Sequence, residues 1–260
     1  MRFLLVTLVL LALGCRKNDR ELTNTVQSSK DHLRSEKQLL EIFQLVDEAA
    51  KSNNDLRSIL PCATVTVDAT VSPMTLEIDF GTNTICSDGK TRSGKILASF
   101  IGNLSATGTL VTITSSDYIV GGVSISVSAT LVNIGPNTNN KPQFDLYCDS
   151  LRMKTLSNND LSSWNCQYRL VQNTGENTTT HTDDSFLVSG SASGRNRKGN
   201  SYKSLIKEDL LFSHNCSWQT RGKTEVTPDN LSRRYLKYNS SCSNKVACKV
   251  NFSIVELEIE

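Results

Sequence analysis

Val123-Ser124-Ile125-Ser126-Val127-Ser128-Ala129-Thr130-Leu131 alternates apolar and hydroxyl side chains without a break. Successive side chains of a strand point to opposite faces, so this stretch has one dry face and one wet face. Buried parallel strands would be apolar on both faces, and the pattern therefore points to an antiparallel sheet with one solvated side. Working outward, Ala63, Val65, Val67, Ala69 and Val71 alternate with Thr64, Thr66, Asp68 and Thr70 in the same way. Gly121-Gly122, Asn158-Asn159-Asp160 and the longer Gly194 to Asn200 separate such runs where hairpin turns need positive φ. A last run, Val246, Cys248, Val250, Phe252 and Ile254, slips phase at Val255, Leu257 and Ile259, which a bulge or turn must absorb.

The runs make about a dozen strands, too many to stay flat. Upstream the period changes. Leu39, Leu40, Ile42, Phe43, Leu45, Val46 and Ala49 recur at helical spacing, with Glu36, Glu41, Asp47 and Glu48 on the other face, which predicts one amphipathic helix over 33–54. Asn53-Asn54 and Pro61 stop it. The expected fold is mainly β: a curled antiparallel meander over 61–260, covered on one face by the helix. It resembles in architecture the half-barrel of bacterial lipoprotein carriers, and a two-sheet sandwich is the alternative.

The first residues carry an address. Arg2 and the apolar run Phe3 to Leu13 are too short to span a bilayer and have the form of an export signal over 1–14. The run ends Leu11-Ala12-Leu13-Gly14-Cys15, which resembles a bacterial lipobox and makes Cys15 the lipidated residue; the usual pattern has Leu and then Ala or Ser, where this chain has Ala12 and then Leu13. Acylation there implies firm membrane anchoring. Residues 15–32 are polar and of mixed charge, as a tether would be. Arg16, in place of a retention aspartate, leans the anchor towards the outer membrane of the cell envelope.

Lysine plus arginine number 28 against 26 acidic residues, so no global field recruits nucleic acid. Eight cysteines in an exported chain point to disulfides, since no short Cys or His pair offers a zinc hook and His32, His181 and His214 stand apart. Two segments share a pattern. Cys62 starts a strand that turns at Ser72-Pro73 and returns past Ile78-Asp79-Phe80-Gly81 to Cys86; Cys216 starts one that turns at Thr227-Pro228-Asp229-Asn230 and returns past Leu236-Lys237-Tyr238-Asn239 to Cys242. The hairpins suggest the pairs Cys62–Cys86 and Cys216–Cys242. Cys148 and Cys166 flank the next turn and suggest a third, which leaves Cys248 free.

No catalytic residue, metal site or cofactor is expected. Gly89-Lys90-Thr91-Arg92-Ser93-Gly94-Lys95 nearly spells a phosphate loop but continues with Ile96 where a Ser or Thr would hold magnesium, and it joins strands instead of opening a helix. Asp68, Asp79, Asp88 and Asp183-Asp184 lack the spacing of a calcium loop. His181 and His214 have no Gly-x-Ser-x-Gly elbow beside them. The one compact basic cluster, Arg195, Arg197 and Lys198 beside Tyr202, is a candidate contact for lipopolysaccharide phosphate or the acid groups of a polysaccharide.

Three stretches carry a family resemblance: Ile78-Asp79-Phe80-Gly81 with Asp88-Gly89 and Arg92 to Ile96; Tyr118 to Ile125; and Gly190 to Tyr202. They resemble a group of uncharacterised lipoproteins of the Bacteroidota. The resemblance implies an exported, anchored protein with a helix and a β domain, and no chemistry. In that group the turn at Gly121-Gly122 more often reads Asn-Gly, and Cys148, Cys166 and Cys248 are additional to the usual four cysteines. The functional expectation is a non-enzymatic binding or scaffolding domain whose partner is an envelope protein or polysaccharide. A carrier of an apolar ligand held near Phe43 and Val46, or a glycan-acting hydrolase with two facing carboxylates, are the alternatives.

Overall fold

A computed structural model describes residues 26–51, 62–176, 178 and 182–259. Cys15 and the export signal, the expected helix end at 52–54, Pro61 and His181 lie outside the described residues. Among the described residues one helix, α1 (Gln27–Lys51), precedes fifteen strands. These are β1 (Thr64–Asp68), β2 (Met74–Asp79), β3 (Thr84–Ile85), β4 (Thr91–Ile101), β5 (Leu110–Val120), β6 (Val123–Pro136), β7 (Pro142–Thr155), β8 (Leu161–Thr174), β9 (Ser185–Arg195), β10 (Ser201–Glu208), β11 (Leu210–Ser213), β12 (Lys223–Pro228), β13 (Arg234–Tyr238), β14 (Lys245–Val250) and β15 (Ser253–Glu258).

All fifteen belong to one sheet that is not closed, and chain neighbours pair antiparallel along nearly its whole order. β3 adds to the start of β4, while β9 holds β11 along its first half and β10 along its second. The two-sheet alternative is therefore not what the chain forms. Val123, Ile125, Val127, Ala129 and Leu131 are buried while their alternates are half-buried or exposed, as the period of two dictates. Each such Val, Leu or Ile contributes about 1.5–3 kcal/mol on leaving water. Gly121 and Gly122 form the β5–β6 turn, Asn158 to Asp160 lie in the β7–β8 turn, and the phase slip near the end is a tight turn at Asn251-Phe252. Gly94 marks a bulge against β5: its φ is +76°, and an added Cβ would stand 2.1 Å from the Asp117 carbonyl oxygen.

The helix departs from expectation in two ways. It starts at Gln27, so residues 27–32 are not tether. Its polar face is also not wet: Glu36, Asp47 and Glu48 are buried, together with Ser28, Ser29, Asp31, His32 and Ser35. The reason is that side chains from far-apart strands reach it. Tyr168 on β8 donates to Glu36 (2.7 Å), as does Tyr238 on β13, and Trp164 Nε1 donates to His32 Nδ1 at 3.2 Å. A buried carboxyl group without such donors would cost several kcal/mol. The apolar face packs against rings, with the Phe43 centroid 5.4 Å from that of Phe186 and 6.3 Å from that of Phe212. No described helix is long and apolar enough to cross a membrane.

Candidate binding cleft

Beside the middle of α1 lies a cleft of about 200 Å³, lined by Lys37, Glu41, Leu45, Lys90, Arg92 and Phe212 among others. The β3–β4 hairpin forms one wall. There Asp88 caps its own turn by accepting from the Lys90 backbone N–H, and this sets Lys90 and Arg92 towards the helix. Sequence alone reads these residues as a solvated hairpin loop; instead Arg92 is 1% exposed and Lys90 half-buried. Arg92 donates to Glu41 Oε1 at 2.6 Å and to both carboxylate oxygens of Asp88 at 2.8 and 2.7 Å. Lys37 donates to Glu41 Oε2 at 2.8 Å and sits 5.0 Å above the Trp218 ring, while Lys90 Nζ lies 3.5 Å from that same oxygen.

The electrostatics follow from this crowding. Burial favours a neutral Glu41, but Lys37, Lys90 and Arg92 outweigh it and bring its carboxyl down to about 2. Burial lowers Lys90 to about 8 even with Glu41 opposing the shift. Asp88 is also lowered, because its bonds from Arg92 and the Lys90 backbone overcome its partial burial. Glu41 on α1 and Asp88 on the hairpin are thus held ionised, which suits charge pairing and not proton donation.

Both disulfide pairs expected from the hairpins stand at bonding distance, Cys62 with Cys86 and Cys216 with Cys242. They flank the cleft: Ser87, next to Cys86, and Asn215 and Ser217, on either side of Cys216, belong to its lining. The third bridge is not formed. Cys148 and Cys166 are direct partners across β7 and β8, yet both are buried free thiols, as is Cys248. Burial pushes the Cys148 thiol up to about 12 and that of Cys166 well above its ordinary value, and a protonated thiol is a poor nucleophile for disulfide exchange.

The expected basic cluster comes apart. Arg197 is spent on α1, its backbone N–H and Nε each 2.8 Å from the buried Asp31 carboxylate. Arg195 folds back to donate to the Gly199 carbonyl at 2.7 Å. Tyr202 is 1% exposed and packs edge-on against His32, while its hydroxyl fills the space a Gly194 Cβ would need. Only Lys198 remains an exposed cation without such a role.

A second polar cluster went unseen in the sequence. Asp47, Asp184 and His214 bring ligand-type atoms within 4.8 Å of one another, all buried. One imidazole and two carboxylates could hold a divalent ion. Each of the three also has a protein partner, with Gln172 donating to Asp184 at 3.0 Å and Glu48 lying 3.5 Å from His214 Nδ1, so the cluster stands as a polar seam between the helix and the β8–β9 region. No family model, curated protein or solved structure matches the chain.

Proposed function

We propose that this chain is a cell-envelope lipoprotein, anchored in the outer membrane through lipid on Cys15, whose β domain is a non-enzymatic binding module of the Bacteroidota group that its sequence resembles. The observation that carries the reading is the placement of both disulfide pairs at the rim of one charged cleft. Closing the Cys62–Cys86 and Cys216–Cys242 loops limits how far each rim can wander, and a preorganised mouth loses less freedom when it binds. Disulfides of this kind also fit an oxidising, extracytoplasmic compartment.

The half-barrel reading of the sheet finds support in the reach of α1. Its residues from Ser29 to Glu41 contact side chains of β14, β13, β8 and β4, which a flat sheet could not supply. The aromatic packing around Phe43 argues for contacts at the cleft over a ligand held beneath the helix. A hydrolase would need one carboxyl held protonated, and the depressed Glu41 and Asp88 favour the opposite.

The carrier reading keeps one foothold elsewhere, a cavity of about 650 Å³ whose lining mixes Met74, Phe100 and Phe144 with Asn133, Gln172 and Asp184. Native mass spectrometry of the protein extracted from its own envelope separates the two. A bare polypeptide-plus-anchor mass is expected, and a reproducible apolar adduct would overturn the module in favour of the carrier. The anchor is tested by Cys15→Ala: the variant should leave the membrane fraction, and retention after high-salt washing would refute lipidation at this residue.

A further inference from the structure

We propose that the cleft between the two disulfide clips is an anion-accepting subsite, in which Lys90 and Arg92 hold the carboxylate or phosphate of one small, sugar-sized ligand. This rests on the binding-module reading and supplies its ligand class. Three cations, Lys37, Lys90 and Arg92, converge on Glu41; among the described residues Arg92 alone of the three has a second ion-pair partner, Asp88, and Glu48 lines the cleft farther along α1. The Oε2 oxygen of Glu41 is already held by Lys37 at 2.8 Å, so the 3.5 Å approach of Lys90 leaves its ammonium under-used. Arg92 Nε is buried in the lining and meets no acceptor in hydrogen-bond geometry among the described residues, the nearby Tyr118 hydroxyl being likewise unpaired. An ammonium offers three donors and a guanidinium five, and this group of residues supplies more N–H than it can accept. An incoming anion is the acceptor that balances it, through the charge-assisted bonds that are the stronger class.

The walls set the size and character of the rest of the ligand. At about 200 Å³ the cleft lies below the ~300–1,000 Å³ of pockets that take drug-sized ligands, which limits it to about a single sugar ring. Leu45 and Phe212 give an apolar surface for a ring face, while Ser87, Asn215 and Ser217 offer hydroxyl and amide partners at the rim.

Isothermal titration calorimetry on the full mature protein in detergent tests this with three probes that share one pyranose ring: glucuronate, glucose 6-phosphate and glucose. The expectation is saturable binding of at least one acidic sugar, with neutral glucose at least about tenfold weaker, as the loss of a charge-assisted bond implies. The tighter of the two acidic probes identifies carboxylate or phosphate as the source of the anion. Lys90→Met should weaken the acidic probe by about tenfold or more, and Lys198→Met should leave it unchanged. Equal affinity for glucose, no change in Lys90→Met, or no heat from any probe at about 10 mM, far above common affinities, would overturn the proposal. Should Lys90→Met fail to fold, the comparison of acidic with neutral sugar on the wild type still decides it. Failure here leaves the module reading intact, because that reading fails through an apolar adduct in the mass spectrum and not through this titration.

Discussion

Arg92 Nη2 lies 2.6 Å from Glu41 Oε1, joining the head of β4 to the middle of α1 across 51 residues of sequence. This contact ties the helix to the hairpin that carries Cys86, Asp88 and Lys90, so the wall of the cleft and the packing of the helix are one structure.

The pair makes stability depend on acid in a defined window. Glu41 falls from an ordinary 4.5 to about 2 in the folded protein, so between these values the unfolded chain binds more protons and the folded state loses ground as pH falls. The contribution is fully present above about pH 4.5 and gone below about pH 2, with a size of about 3 kcal/mol. Urea midpoints taken across that window should drop more steeply for the wild type than for Glu41→Gln. Parallel curves would count against the pairing.

Lys90 titrates from the other side. Burial brings it to about 8, so its charge is lost as pH rises through that value while the unfolded chain keeps its proton to about 10.4. The groups facing it are Glu41 and Lys37 from the helix and Asp88 and Arg92 from its own hairpin, with Glu48 and His214 on the far wall. Affinity for an acidic sugar should therefore fall between about pH 7 and about pH 9, and Lys90→Arg, which stays charged, should remove the fall. A flat profile in the wild type would separate Lys90 from binding.

Glu36 accepts from two buried tyrosine hydroxyls, those of Tyr168 and Tyr238. Glu36→Ala strands both hydroxyls and opens a void, at a cost of about 3–5 kcal/mol, whereas Glu36→Gln keeps an acceptor and costs about 1–2 kcal/mol. Thermal unfolding of the two variants measures the gap. Equal melting temperatures would mean that the hydroxyls find other partners.

Arg197 and Lys198 are neighbours with opposite fates. Arg197→Ala takes the guanidinium from the buried Asp31 carboxylate and leaves it the backbone N–H of residue 197 and the Gln27 amide, for a loss of up to about 3 kcal/mol. Lys198→Ala is an exposed change and should stay within about 0.5 kcal/mol of the wild type. Denaturant titration of both variants would expose an error in either assignment.

The cysteine assignment can be counted. Under denaturing, non-reducing conditions the lipidated protein should expose three alkylatable thiols, Cys148, Cys166 and Cys248. Reducing the two clips should lower stability by about 3 kcal/mol each, as the chain-entropy model gives for loops of this length. A single reactive thiol by mass would restore the Cys148–Cys166 bridge.

What the sequence shows and hides follows one line. Strands such as Val123 to Leu131 and turns such as Gly121-Gly122 are legible because their cause is local: period, and backbone conformation. The two clips are legible because hairpin geometry brings their ends together. The buried polar face of α1 is not, because Glu36 meets Tyr168 and Tyr238 from 132 and 202 residues away, and a charged helical face with no visible partner reads as wet. The same distance hides Asp31 from Arg197, which is why a structural arginine passes for a ligand contact. One signal was present. Trp164, Tyr168, Tyr202 and Tyr238 fall on the dry phase of their strands, and polar-tipped aromatics placed inward need polar partners inside. That requirement points to a helix whose polar side is buried as well.

The central claim is that α1 is an interior element held by both of its faces, with the cleft resting on it. Native-state hydrogen exchange of the amides from Leu33 to Ala49 tests this most directly. The account predicts that they exchange only with global unfolding, at the same free energy as the slowest amides of β6 to β8. A helix that opens on its own, several kcal/mol below the sheet, would contradict it.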